Sequence, residues 1–143
     1  MTGIRTRRVS RKINLRPTAT GHNKVKVGFP LGVGDDILKK AVFNNYGTRN
    51  IPERPFMDNA IRDNRKKYGR MMRRAATKIT RGELTMTTVM QRIGIEAVGD
   101  IQEEIKNLKS PGNAESTKRI KGSSNPLIDT GEMRGSVTHK TYV

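Results

Sequence analysis

Apolar residues recur along this chain at two different periods, and the change of period divides it into elements. Lys24-Val-Lys-Val-Gly28 alternates polar and apolar, which predicts a strand with Val25 and Val27 on one face. Phe29 to Gly34 is rich in turn residues. Ile37, Leu38, Ala41 and Val42 then follow at helical spacing, predicting a short helix capped by Asp35 or Asp36 and running to Asn45. Gly47 is a natural residue to end it. Prolines at 52 and 55 keep residues 49–55 extended, because a proline disfavours helical geometry in its predecessor.

Two long amphipathic helices are predicted next. The first covers Phe56 to Thr80, with Met57, Ala60, Ile61, Asn64, Tyr68, Met71, Met72, Ala75 and Ile79 on one stripe. Gly82 breaks it. The second covers Thr85 to Leu108, with Met86, Val89, Met90, Ile93, Ala97, Ile101, Ile105 and Leu108 spaced by three and four, and Ser110-Pro111-Gly112 stops it. So short a connection predicts an antiparallel pair. Asp129-Thr130-Gly131 carries capping residues for a short turn of helix at Glu132-Met133-Arg134, and Ser136 to Val143 alternates weakly, as a closing strand does. The expected fold is α+β: a small antiparallel β-sheet packed by two long helices, with an extended N-terminal arm and loops. Residues 1–20 form the basic arm, in which Val9, Ile13 and Leu15 could add a strand, and residues 21–143 form a single α+β domain. There is no internal repeat.

Composition adds two constraints. A hydrophobic fraction of 33% without tryptophan makes a thin core for 143 residues, so neighbouring subunits are expected to supply part of the stability. The absence of cysteine excludes disulfides and thiolate metal sites, and no apolar run reaches the roughly 20 residues that span a bilayer. No signal peptide is visible at the N-terminus, so the expectation is a soluble protein of a reducing compartment.

Charge is segregated as well as large, at a net +16. Residues 1–26 hold eight basic residues and no acid, residues 60–82 hold nine against Asp63 alone, and residues 83–104 reverse the sign, with five acids facing Arg92. Such blocks attract nucleic acid, anionic lipid or an acidic protein surface, and they also suit contact between the basic segment of one element or subunit and the acidic segment of another. Aromatic residues make up 4% of the chain, too few for stacking on single-stranded bases, so any DNA contact would be nonspecific and directed at phosphate.

Catalytic chemistry is nearly absent. His22 and His139 have no ligand-spaced partner and read as structural or exposed. Asp129 with Glu132 is explained by helix capping, the glycines of 28–34 lack the lysine and hydroxyl of a phosphate loop, and Gly122-Ser-Ser fits no nucleophile elbow. An enzyme is not expected, nor a cofactor, metal or small-molecule substrate.

Two stretches carry a resemblance. Asn44-Asn-Tyr-Gly-Thr-Arg-Asn-Ile-Pro-Glu-Arg-Pro-Phe-Met57 resembles the "Asn-Glu-Tyr/Phe-Gly-Thr … Ile-Pro-x-Arg-Pro-Phe" segment of the small neck and tail-completion (head–tail joining, virion morphogenesis) proteins of tailed bacteriophages. Ser116-Thr-Lys-Arg-Ile-Lys-Gly-Ser-Ser-Asn-Pro-Leu-Ile-Asp-Thr-Gly-Glu-Met-Arg-Gly-Ser-Val137 resembles their "Pro-Ser-Thr-x-x-Arg-Lys-Gly … Pro-Leu-Ile-Asp-Thr-Gly-x-Met/Leu-Arg-x-Ser-Ile" ending. With Ile93-Gly94 between them, the similarity spans roughly residues 25–140.

The resemblance implies a late structural virion protein, made in the host bacterial cytoplasm and located at the neck or tail. There it would form a ring, commonly a hexamer, around the DNA channel. Expected partners are its own copies, the head connector or adaptor and the tail tube or terminator. It implies two elbows, one from Tyr46, Gly47, Thr48, Arg54, Pro55 and Phe56, the other from Pro126, Leu127, Asp129, Thr130, Gly131, Met133 and Arg134. With Arg7, Arg8, Arg11, Arg119 and Lys121, these residues are the candidates for assembly contacts. Whether the elbows hold the fold or touch a partner stays open at this point. A different class of function, nonspecific nucleic-acid binding through residues 1–26 and 60–82, is the alternative.

Overall fold

The computed structural model describes residues 23–114, 119, 120, 127 and 131–142. The N-terminal arm, including Arg7, Arg8 and Arg11, lies outside the described residues, as do His22, Lys121, Pro126, Asp129 and Thr130. The elements in order are β1 (Lys24–Gly28), α1 (Asp35–Tyr46), α2 (Phe56–Thr80), α3 (Met86–Asn107), a one-turn α4 (Glu132–Gly135) and β2 (Thr138–Tyr142). This is the small α+β arrangement that the periodicity predicts.

The helical hairpin is antiparallel, as the pairs across it show. Asn59 donates to Glu104, Lys67 reaches Glu96 and Asp100, and Ala75 packs with Val89 and Ile93. The turn between the helices is closed by Gly82 N–H donating to the Ile79 carbonyl and Glu83 N–H to that of Lys78, with Gly82 at φ 76°. Thr85 caps α3, its hydroxyl accepting from Thr88 N–H at 3.2 Å.

Two sequence expectations need correction. The residue before α1 is Gly34, which gives no side-chain cap, so Asp35 and Asp36 sit inside the first turn, where their charge complements the helix dipole. Ile61, expected on the buried stripe of α2, is 40% exposed, because the stripe bends toward Asn64, Lys67 and Tyr68 where the helix meets α3. The residue before α4 is Gly131, at φ 80°, and Asp129 and Thr130, the capping residues expected there, lie outside the described residues.

Helix α3 is the spine. Seven of its residues are buried, and the sheet, α2 and α4 all pack on it. β1 and β2 form a two-stranded antiparallel sheet with Val25 opposite Thr141 and Val27 opposite His139. These four half-buried residues form the inner face. On the outer face Lys26 stands directly opposite Lys140, a repulsive placement, and the ring of Tyr142 lies 5.3 Å and 5.5 Å from the two ammonium groups, which softens it.

The sheet lies close against α3 because position 94 has no side chain. A Cβ there would run into His139 Cδ2 and stand 2.7 Å from its Cγ and 3.0 Å from Val25 Cγ2. His139 is therefore a packing residue, the first of the two roles, structural or exposed, that the sequence left open. Gly99, one and a half turns further on, faces open space. The two glycines make opposite predictions. Gly94→Ala should destabilise by about 1–3 kcal/mol through overpacking, whereas Gly99→Ala should stabilise by about 0.5–1 kcal/mol through helix propensity. Urea unfolding of the two variants beside the parent checks both signs, and equal effects would refute the close approach.

Candidate assembly interface

The first elbow is built around a buried arginine. Gly47, at φ 72°, turns the chain out of α1, and a Cβ there would stand 2.9 Å from Glu53 N, so a side chain is excluded on two grounds. Thr48 then makes a local turn, its hydroxyl accepting from Ile51 N–H at 3.1 Å while its own N–H donates to the Ile51 carbonyl at 2.8 Å. Arg54 N–H donates to the Asn44 carbonyl at 2.7 Å. The chain is thereby folded back on the end of α1.

Arg54 is only 3% exposed. Its guanidinium donates to the Pro111 carbonyl at 2.7 Å, to Asn44 Oδ1 at 2.7 Å and to the Gly112 carbonyl at 3.0 Å. One side chain thus ties the end of α1, the start of α2 and the loop after α3. Burial lowers its pKa from the ordinary value, yet an arginine keeps its charge throughout the accessible range. Asn45, equally buried, supplies the cap that Pro55 cannot: its Oδ1 accepts from Met57 N–H at 3.2 Å.

The second elbow closes on the first. Phe56 is fully buried beside Ile101 and Ile105, and the same cluster takes in Leu127, Met133, Val137, Ala41 and Ala60. Apolar residues from the two motif stretches therefore share one core. α4 is pinned by Gln102, whose side chain donates to the Arg134 carbonyl, and by Ser136, whose N–H and hydroxyl both donate to the Glu132 carbonyl.

This sorts the candidate residues. Arg54, Phe56, Leu127 and Met133 are buried within the protomer and Pro55 is half-buried, so these five hold the fold together. Tyr46, at 71% exposure, faces outward with Thr48, Arg119 and Arg134, and Gly131 sets the turn into α4.

The sequence reading did not pick out a row of exposed apolar residues on α1. Leu38, Val42 and Tyr46 recur every four residues, with Phe43 beside them and Leu31 protruding just before the helix. Periodicity places residues on a face; only tertiary packing shows that this face is left uncovered.

On α2 the charges divide. Lys67 turns inward to Asp100 and Glu96 of α3, the within-chain meeting of basic and acidic segments that charge patterning suggested. The remaining cations, Arg62, Arg65, Lys66, Arg70, Arg73, Arg74 and Lys78, are exposed. Tyr68 donates to Asp100 Oδ2 at 2.6 Å. Partial burial and that carboxylate push its pKa well above the ordinary phenol range. Burial also pulls on Lys67 in the opposite direction, but its bonds to Asp100 and Glu96 win and its pKa is raised.

Among the described residues no helix is long and apolar enough to cross a membrane, and no three His, Asp or Glu side chains gather as a metal site. No family model matches the chain, and comparisons with curated proteins and with solved structures find no match.

Arg54→Ala should cost about 2–4 kcal/mol by stranding buried acceptors, and Arg54→Lys should fail to restore it, since an ammonium cannot span the same acceptors; thermal and urea melts read both. Tyr68 and Lys67 each bind a proton more tightly folded than unfolded. Their contributions are therefore full below the unfolded values of 10.0 and 10.5 and decline as pH rises past 10. Tyr68→Phe should flatten that alkaline decline in a stability–pH profile, and an unchanged slope would contradict the assignment.

Proposed function

We propose that the protein is a non-enzymatic structural component of a tailed-phage virion, joining or completing the tail at the head–tail neck as a ring around the DNA channel. The carrying observation is the uncovered apolar row of α1. Monomeric proteins seldom expose contiguous apolar surface, and such patches mark contacts with other proteins. A thin core and the two elbows that resemble the neck and tail-completion family support the same reading. In it, the buried members of the elbows fix the shape of the protomer, and exposed members such as Tyr46, Thr48, Arg119 and Arg134 are left for neighbours. Self-association into a ring, contact with connector or tube proteins, and location at the neck or tail all belong to this proposal.

A second reading, nonspecific nucleic-acid binding, is favoured by one observation. Arg62, Lys66, Arg70, Arg74 and Lys78 follow one another every four residues along the exposed side of α2, about 6 Å apart along the axis. Phosphates of a duplex could meet such a row without any base being read.

Negative-stain microscopy and light scattering of the purified protein separate the two. Rings, together with binding to connector or tube proteins and weak DNA affinity, are expected. A strict monomer that binds duplex DNA tightly, with steep loss on added salt and no association with virions, would sink the proposal. Removal of residues 1–20 should abolish assembly while leaving the circular-dichroism spectrum of the helices intact.

A further inference from the structure

The exposed cations of α2 are not spread evenly around it. A row at intervals of four drifts about 40° around a helix at each step, so the row that starts at Arg62 ends with Arg74 and Lys78 turned toward Leu84 and Val89, beside α3. At about 100° per residue, Arg62, Lys66, Gly69 and Arg73 instead share one arc of about 60°, with Arg65 and Arg70 on its two flanks. That arc lies opposite Ala60, Met71 and Ala75, which pack inward. It is the side of α2 farthest from the body of the protomer.

The middle of this arc is empty. Gly69 is the only residue of the 25 in α2 without a side chain, and a Cβ there would meet nothing nearer than Arg73 Nη1, at 3.7 Å. Glycine inside a helix costs stability relative to alanine, and here no packing within the protomer requires it. Among the described residues, Arg65, Lys66, Arg70 and Arg73 have no hydrogen-bond or ion-pair partner, while Arg62 bonds to Asn59 and to the exposed Asp63. A low saddle flanked by unpaired cations is thus turned to solvent.

A second copy does not supply the missing anion. On α3, Glu96 and Asp100 are held by Lys67, Glu103 by Lys106 and Asn107, and Glu104 by Asn59. Asp35 and Asp36 are followed one turn later by Lys39 and Lys40. An acidic protein partner would need an apolar centre to bury, and this arc has none. Nor can α2 lie in the surface of an anionic bilayer, because its apolar side is already packed on α3. A nucleic-acid duplex needs neither. It offers a regular line of phosphates, one every ~3.4 Å of axis on each strand, and the roughly 16 Å from Arg62 to Arg73 spans about five of them.

We infer that the outward face of α2, centred on Gly69, is the surface this protein turns to double-stranded DNA. Arg62, Arg65, Lys66, Arg70 and Arg73 meet the phosphates of one strand, whose backbone is seated over the glycine, and no base is read. The place of this face in the channel wall rests on the ring reading above: copies that each bring the same charge are held around the duplex that neutralises it.

Fluorescence anisotropy of the full chain with a 20-base-pair duplex tests the face. The parent should bind in the nonspecific range, ~10⁻⁴–10⁻⁶ M per protomer at physiological salt. Lys66→Glu with Arg73→Glu should weaken binding about hundredfold and lower the magnitude of the salt slope by about two. Lys24→Glu with Lys26→Glu, the same charge change on the outer face of the sheet, should weaken it less than about fivefold. Gly69→Gln keeps the charge. It should raise the urea midpoint, glutamine being the better helix former, and still weaken DNA binding about tenfold.

Equal losses from the two charge reversals would overturn the face in favour of bulk attraction, as would a Gly69→Gln chain that binds like the parent. Reversals on α2 that release phosphatidylserine vesicles but not the duplex would overturn it in favour of a membrane. All three outcomes leave self-assembly standing. Rings imaged with the duplex through their opening are expected, and rings with the duplex along their outside would overturn the channel placement. A parent that is monomeric at every concentration, yet loses DNA through the α2 reversals, would keep the face and remove the ring.

Discussion

The fold depends on the buried guanidinium of Arg54. An isolated charge in a protein interior is costly, and it is tolerated here because three acceptors from two separate segments surround it. The arrangement is planar and directional, so it fixes angles as well as distances. The end of α1, the start of α2 and the loop beyond α3 are set relative to one another by a single side chain. Phe56, two residues on, is thereby held against Ile101 and Ile105, and the core around it can close on Leu127 and Met133. Hydrophobic burial supplies the larger share of the free energy, while Arg54 decides which geometry receives it.

A second constraint acts nearer the start of α3. The sheet has only two strands and could not stand alone. It borrows rigidity from α3, and Gly94 is where the two meet. The spine is therefore clamped along its length: by the sheet near Gly94, by α2 through the Lys67, Tyr68 and Asp100 group, and by α4 near Gln102. α1 is held on one face only. The least covered element is thus the one whose apolar residues remain available to another molecule.

Much of this could be read from the order of residues. The strand at 24–28, both long helices and the closing strand follow from period and from glycine and proline punctuation, since those signals are local. What escaped is tertiary. An arginine in a loop reads as exposed, and nothing near Arg54 in sequence announces Pro111 or Gly112 as its acceptors. Asn45 caps a helix that begins eleven residues later, beyond the reach of any local capping rule. Ile61 matched the helical stripe and still faces solvent, because a stripe defines a direction and packing defines its width. Leu38 and Val42 show the converse: their periodicity is plain, while the absence of a cover for them depends on elements far along the chain. The two motif stretches were visible, but their meeting in one core was not.

The row of cations on α2 carries a last consequence. Arg62, Lys66, Arg70, Arg74 and Lys78 are neighbours at intervals of four, and like charges at that spacing oppose the helix that bears them by about 0.2–0.5 kcal/mol per pair. The free protomer therefore holds a small electrostatic strain that its packing against α3 must overcome. Dissolved salt relieves that strain by screening it, and the same screening weakens any attraction of the row for an anionic partner. Ionic strength thus acts in opposite senses on the folding of this helix and on any attraction of the row for an anion, so conditions that hold the protomer most firmly are those in which the row is electrostatically quietest.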